Sequence, residues 1–373
     1  MKHLKKNLQS IFKNITYKLF SIFHGKVVGK IDAKSHQNVK IHTVEKDKNI
    51  KYKIFQIQNA RLYTDAVHDA AIIIKNSIVD GPSYQFRPIN NASVEQNIVF
   101  KKGTPRKIKF FNGKVLSLLS GGAANDNYFH WIFDILPRIA LCESAIDLRK
   151  IDFFLVPSLE KKFQRETLKF LNIPLEKCLS SKIYRHISAS EIFVTDHPYV
   201  INNDAHMDIQ KIPVWISKWL KKKYIMGDTI LANNYNCPKK IYIDRGDSTA
   251  NMKEARGILN EKEIKDFLEK NNFQSLQLGK FNFMDQVKIF NNADIIIGLH
   301  GAGFANLSFC RKDTKVIEFN NTSGQKMYEN LSLTNQLNYR SINSAPIGDD
   351  TKNQYGHINV SIELLKKILE GFN

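Results

Sequence analysis

The run Ile295-Ile296-Ile297-Gly298-Leu299-His300-Gly301-Ala302-Gly303, continuing into Phe304-Ala305-Asn306-Leu307, decides how the second half of the chain is read. A short, wholly apolar strand enters a glycine-rich turn, and the turn opens a helix. Glycines let the backbone come close to a ligand, and the first free N–H groups of the helix then point at it. With the helix dipole added, the spacing predicts an anion site suited to a diphosphate at His300, Gly301, Ala302, Gly303 and Asn306. The pattern is neither G-x-G-x-x-G nor a P-loop, so it does not point to a dehydrogenase or an NTPase. A tight turn with no ligand is the alternative. His300 weighs against it, because a polar side chain at a strand's carboxyl end faces a crevice rather than a core.

Working outward, alternation continues on both sides of this run. Strands are expected at 240–243, 275–278 and 315–319, and helices at 260–270, 285–291 and 362–369. The next strand, Val316-Ile317-Glu318-Phe319, carries a carboxylate near its end. Glu318 either accepts from two ribose hydroxyls or pairs with an arginine as a structural ion pair. The strand at 240–243 leads into Asp244-Arg245-Gly246-Asp247, and Arg256 follows. Arg245 and Arg256 can clamp phosphate oxygens by forked hydrogen bonds. In isolation Arg256 reads as an ordinary surface residue.

The first half is strand-like from 50 to 115, broken at Gly81-Pro82 and Gly103. A short apolar strand at 114–119 then meets Ser120-Gly121-Gly122, and a helical stretch runs to Cys142. Strands at 152–156 and 191–194, with a helix at 161–171 between them, complete a βαβ alternation. Residues 215–239 read as a connection. Two doubly wound α/β domains result, an N-terminal one over 31–214 and a C-terminal one over 240–373, with ligands expected in the cleft between them. A chain of 373 residues exceeds the usual span of one hydrophobic core, in keeping with two domains.

In the first domain the segment Asn125-Asp126-Asn127-Tyr128-Phe129-His130-Trp131-Ile132-Phe133-Asp134-Ile135-Leu136-Pro137-Arg138 places Asp126, His130, Asp134 and Arg138 four apart, as one polar stripe on a helix. His130 and Asp134 are a candidate general-base pair. The alternative is a helix cap at Asp126 with a buried structural bond between His130 and Asp134.

Composition narrows the classes. The formal charge of +19 implies nucleic acid, an anionic membrane surface, phosphorylated ligands, or a drift in composition in which Lys, Asn and Ile rise together. The positive charge is dispersed, with no basic stripe interleaved with aromatics outside the N-terminus, so nucleic acid is not expected as a partner. Cys142, Cys178, Cys237 and Cys310 are widely spaced and form neither a zinc ribbon nor a disulfide scaffold. No apolar run is long enough to span a bilayer. Lys13 and Lys18 interrupt any signal-peptide core, and a cytoplasmic location is expected. Residues 1–30 read as a basic N-terminal helix. Over 8–23, Leu8, Ile11, Phe12, Ile15, Leu19, Ile22 and Phe23 share one face, and Lys6, Lys13 and Lys18 lie off it. Such a helix either lies on an anionic leaflet of the inner membrane or packs on the protein's own body.

The order and wording of these motifs resemble glycosyltransferase family 61. Its bacterial members are often capsular polysaccharide biosynthesis proteins, and its eukaryotic members include plant xylosyltransferases and protein O-linked N-acetylglucosaminyltransferases. The matching text is Asn127-Tyr128-Phe129-His130-Trp131 with Asp134 and Leu136-Pro137-Arg138, then Ile243 to Arg245, Ile258-Leu259-Asn260-Glu261, Gly298-x-His300-Gly301-Ala302-Gly303 with Asn306, and Val316-Ile317-Glu318. Asp244 stands where the family commonly has Ser before the arginine. The resemblance implies a GT-B architecture of two facing Rossmann-type domains and an inverting transfer with neither an obligatory metal nor a further cofactor. On this resemblance the donor is expected to be a nucleotide sugar, held by Arg245, Arg256, His300, Gly301, Ala302, Gly303, Asn306 and Glu318. The acceptor is expected to be a glycan or lipid-linked glycan of surface polysaccharide, capsule or lipopolysaccharide, met by Asp126, Asn127 and Arg138. No D-x-D follows an apolar strand, in keeping with a metal-free donor site. Two other readings stand beside it: a sugar-nucleotide epimerase of similar architecture, and a scaffold without activity.

Overall fold

The computed structural model describes residues 2–24, 26–47, 49–64, 70–83, 94–119, 126–225, 237–247, 256–321, 326–347 and 356–372. The sequence readings at Ser120-Gly121-Gly122, Asn125 and 233–236 lie outside these residues. Two compact units divide the chain, Met1–Ile209 and Gln210–Asn373.

The first unit opens with a helix, α1 (Lys2–His24), and is built on one mixed sheet. Its strands are β1 (Gly29–Asp32), β2 (Val39–Asp47), β3 (Ile50–Tyr63), β4 (Ala71–Ile74), β5 (Ser77–Asp80), β6 (Lys109–Ser117), β7 (Phe153–Val156), β8 (Cys178–Ser180) and β9 (His186–Thr195). They lie in the order β1-β5-β4-β3-β9-β6-β7-β8, with β2 against β3. Strands β9, β6, β7 and β8 run parallel, whereas β3 pairs antiparallel with β2, β4 and β9. The unit therefore departs from the doubly wound sheet expected. The reason lies in the connections. Only Lys75 and Asn76 separate β4 from β5, and only residues 48–49 separate β2 from β3. A parallel crossover needs about a dozen residues, so these pairs fold as hairpins. Asn49 turns one of them with φ of 79°, a conformation asparagine tolerates better than most residues. The core gathers Phe55, Ile57, Leu62, Ile72, Val115, Leu155, Ile192 and Val194 from both parts of the sheet.

The second unit holds a five-stranded sheet, all parallel, in the order β11-β10-β12-β13-β14. The strands are β10 (Lys240–Ile243), β11 (Gln274–Leu276), β12 (Ile295–Leu299), β13 (Lys315–Asn321) and β14 (Asn338–Ser344). Helices Glu261–Lys270, Phe283–Asn292, Met327–Thr334 and Ile362–Glu370 cover it. All of β12 is buried, as a central strand with both faces covered requires. From β10 the chain goes to β11 on one side, and from β12 to β13 on the other. These neighbouring strands thus form a switch point, where a crevice opens at the carboxyl ends. Helix Val214–Tyr224 belongs to this unit, with Tyr224 edge-on to Phe283 and Phe309.

One expectation is corrected here. The element after Gly301 is a 3₁₀-helix, Ala302–Phe309, not an α-helix. Its residues Phe304 to Phe309 are all buried, and it packs against Val214–Tyr224, Phe283–Asn292 and Met327–Thr334. A 3₁₀-helix is tighter than an α-helix, which suits a segment packed among three helices.

Candidate active site

In the first unit, β6 and β9 are parallel neighbours, so the helical segment after β6 and the loop after β9 meet at the sheet's carboxyl end. Asn127 caps that segment, its side-chain oxygen accepting the amides of Phe129 at 2.9 Å and His130 at 3.4 Å. Tyr128–His130 is α-helical, Trp131–Ile135 is a π turn, and Leu136–Glu143 is α-helical again with Pro137 in its first turn. The proline has no N–H to donate, and its ring conflicts with the carbonyl four residues back. Widening the turn before it relieves that conflict.

Asp134 is wholly buried on this turn. The Nδ1 of His130 lies 2.9 Å from its Oδ2, while the imidazole keeps 27% of its side chain exposed. His197, just beyond β9, brings Nε2 to 3.7 Å from the same oxygen. The Nδ1 of His197 accepts the amides of Tyr199 and Val200 at 3.4 and 3.2 Å, which places that ring's proton on Nε2, facing the carboxylate. Burial alone would raise the Asp134 pKa, but the charge and hydrogen bonds of His130, then His197, hold it below the usual carboxylate range. Burial pulls His130 down, yet the charge and hydrogen bond of Asp134 outweigh it, and its pKa is raised. His197 is pushed down to about 4 by burial, against the pull of Asp134. The result is one ionised carboxylate between a buried neutral histidine and a part-exposed one. A histidine anchored on one side and open on the other is the arrangement a general base requires.

Arg138 is fully buried. Its Nε donates to the Asp134 carbonyl at 2.8 Å, and its Nη1 to the carbonyls of Thr195 and Asp196 at 3.2 and 3.3 Å. It ties the helix to the end of β9, so the expectation of an acceptor contact at Arg138 is corrected to one of support. Asp126 also departs from the stripe, and from the cap position expected for it. The helix starts at Tyr128, so Asn127 is the cap, and Asp126 stands outside the helix, 3.0 Å from Lys182 Nζ.

In the second unit the switch point brings Arg245 and His300 together. Arg245, two residues past β10, donates from Nη1 to the His300 carbonyl at 3.2 Å. A Cβ on Gly301 would stand 3.5 Å from the Arg245 guanidinium carbon. Asp244 does not neutralise that arginine. It is held by Lys265 at 3.1 Å, by Gln277 and by the Gly246 amide. Arg256 is 8% exposed, and its Nη1 has no hydrogen-bond partner among the described residues. Its pKa is lowered to about 10, first by burial and then by the charge of Arg245, with Glu318 opposing. A buried guanidinium beside a half-buried one leaves a local positive surplus.

Glu318 takes neither role foreseen for it. Both carboxylate oxygens are engaged inside the protein, Oε1 by His300 Nδ1 and Oε2 by the Tyr339 hydroxyl at 2.5 Å. Tyr328 packs its ring 4.9 Å from His300 and donates to the Gly301 carbonyl at 2.7 Å. Asn306 is buried and donates to Gln286 at 3.1 Å, which turns it into the core. Gly303 serves packing: a Cβ there would meet the Leu278 Cδ1 at 2.8 Å. Gly301 and Ala302 remain at the crevice, partly exposed. Reading the sequence missed His197, Tyr328 and Tyr339. Of these only His197 carries a visible signal, as a polar residue two positions past an apolar strand.

Comparison with known proteins places the chain in a family. The chain is 32% identical over 95 residues to the EGF domain-specific O-linked N-acetylglucosamine transferase of Canis lupus familiaris, covering 24% of this chain and 18% of that protein. It is 33% identical over 88 residues to the protein of that name from Drosophila melanogaster, covering 23% and 17%. The match thus spans less than a fifth of these curated relatives' length. The family model Glycosyltransferase 61 matches residues 128–317, just over half of the chain, from Tyr128 in the first unit to Ile317 in the second. The chain belongs to the glycosyltransferase 61 family.

Proposed function

We propose that the protein transfers a sugar from a nucleotide-sugar donor to a hydroxyl of a glycan or lipid-linked glycan acceptor, with inversion at the anomeric carbon and without a metal ion. The observation that carries this reading is Arg256, a buried guanidinium whose Nη1 lacks a partner among the described residues, beside Arg245 at the switch point of the second sheet. A diphosphate supplies the charge and oxygens that such a pair lacks. The arginines would stabilise the leaving nucleoside diphosphate as charge develops on it. The family relationship and the pair of units support a GT-B arrangement with the donor on the second unit and the acceptor on the first.

The step is one in-line displacement. The acceptor O–H gives its proton to His130 Nε2 as its oxygen bonds to the anomeric carbon. The bond from that carbon to the diphosphate oxygen breaks, and its electron pair leaves with the nucleoside diphosphate. Asp134 orients His130 and stabilises its protonated form, and His197 holds Asp134. Glu318 positions His300 rather than meeting a ribose. The resemblance to bacterial family members supports surface polysaccharide, assembled on the cytoplasmic face of the membrane, as the pathway.

Thermal shift with a panel of sugar nucleotides and free nucleoside diphosphates, with and without EDTA, tests the donor site. A shift with one nucleotide family, unchanged by EDTA, is expected. No shift in a folded sample would sink the donor site. Conversion of the nucleotide sugar with no acceptor present would point to an epimerase instead.

A further inference from the structure

Helix α1 turns its apolar face away from the protein. Leu4, Leu8, Ile11, Phe12, Ile15, Leu19, Ile22 and Phe23 are all exposed, from 50% at Leu19 to 78% at Ile22. At about 100° per residue they fall within an arc of roughly 120°. The opposite face makes the contacts with the first unit. Tyr17 lies over Gly103, where its ring occupies the space a Cβ would need. His24 stacks on Phe20 with centroids 6.1 Å apart, and meets His186 edge-on at 5.9 Å. A terminal helix that packs on its own body buries its apolar stripe, and this one exposes it.

The charges say what covers the stripe. From Lys2 to His24 the helix carries five lysines and no acidic residue. Lys5 and Lys18 are exposed and fall at the two edges of the apolar arc. Lysines so placed can extend toward anionic headgroups while the leucine, isoleucine and phenylalanine side chains enter the acyl boundary. Pairing with a second copy of the same helix would bring like charges together. No helix among the described residues is long and apolar enough to cross a membrane, so lipid contact by this one would be along the surface. At 23 residues it covers about 35 Å of that surface, at about 1.5 Å per residue.

We propose that α1 docks the protein onto an anionic lipid surface, with its Leu8–Phe23 stripe inserted and its Tyr17–His24 face carrying the first unit. The inference does not depend on the sugar-transfer reading.

Flotation of the full chain with vesicles tests it. Vesicles containing about a third phosphatidylglycerol should carry at least about fivefold more protein than pure phosphatidylcholine, with the difference falling as salt rises. The double variant Ile11→Glu/Ile15→Glu should lose flotation and keep the wild-type melting temperature, because both side chains are exposed. Lys5→Gln/Lys18→Gln should weaken binding to the anionic vesicles. Undiminished flotation of the Glu variant, or none by wild type, overturns the proposal. A clear fall in the variant's melting temperature would show that the stripe packs on protein. A stripe-dependent dimer in sedimentation without lipid would assign the face to a second copy.

Discussion

His130 and Asp134 stand one turn apart on a helix, and the 2.9 Å contact from Nδ1 to Oδ2 leaves the other imidazole nitrogen as the one available to an acceptor. Because Asp134 is wholly buried and His130 is not, the pair has an inside and an outside. His130→Ala should therefore lower kcat by about 10²–10⁴-fold while leaving nucleotide binding unchanged. Steady-state kinetics beside calorimetry decides it. Near-normal turnover in a folded variant would remove His130 as the base.

The same pair fixes a pH dependence. A general base works deprotonated, so activity should rise with pH through the His130 pKa, which Asp134 raises above 6.5. Asp134→Asn removes that raising interaction, so the acid limb should move to lower pH while the maximal rate falls. Stability follows with signs that can be worked out. The raised His130 pKa contributes stability below about pH 6.5 that is lost as pH rises through the folded value. The depressed Asp134 pKa contributes stability above about pH 4 that is lost as pH falls toward the folded value. The difference in melting temperature between wild type and Asp134→Asn should be largest between about pH 4 and 6.5. A flat difference from pH 4 to 9 would show that the pair does not titrate as described.

What the sequence disclosed follows from how local each feature is. The β12 run could be read because five buried residues in a row suit only a strand covered on both faces. His130 and Asp134 could be paired because helical spacing alone brings them together. The partner of Asp134 on its other side could not, because His197 arrives through the pairing of β6 with β9, which no local pattern encodes. Tyr339 reaches Glu318 from the neighbouring strand β14, and β14 itself went unread because only Ile342 among its residues is buried. The 3₁₀ geometry of Ala302–Phe309 and the π turn at Trp131–Ile135 are set by packing and by Pro137, and neither changes the apolar pattern.

Glu318 gives a test of the second unit's support. Its two oxygens serve His300 and Tyr339 on either side. Glu318→Ala leaves both partners without their acceptor and should cost about 3–5 kcal/mol. Tyr339→Phe removes one hydrogen bond to a charged group and should cost about 1.5–3 kcal/mol. Urea unfolding of the two variants compares them directly. Equal losses would mean that the carboxylate does not hold His300.

Arg256 predicts opposite signs for stability and binding. Taking a guanidinium out of water is costly unless its donors find acceptors, and Nη1 finds none among the described residues. Burial, and then the charge of Arg245, both act against the charged form. Arg256→Met keeps much of the volume and removes the charge, so the unliganded protein should melt higher than wild type. The same change deprives a diphosphate of one forked partner and should weaken binding by about 10–100-fold, equivalent to roughly 1.5–3 kcal/mol for a charge-assisted hydrogen bond. Thermal shift reads both effects in one experiment: a higher starting melting temperature and a smaller increment on adding nucleoside diphosphate. A lower starting temperature with an unchanged increment would make Arg256 a structural residue and move the donor phosphates elsewhere.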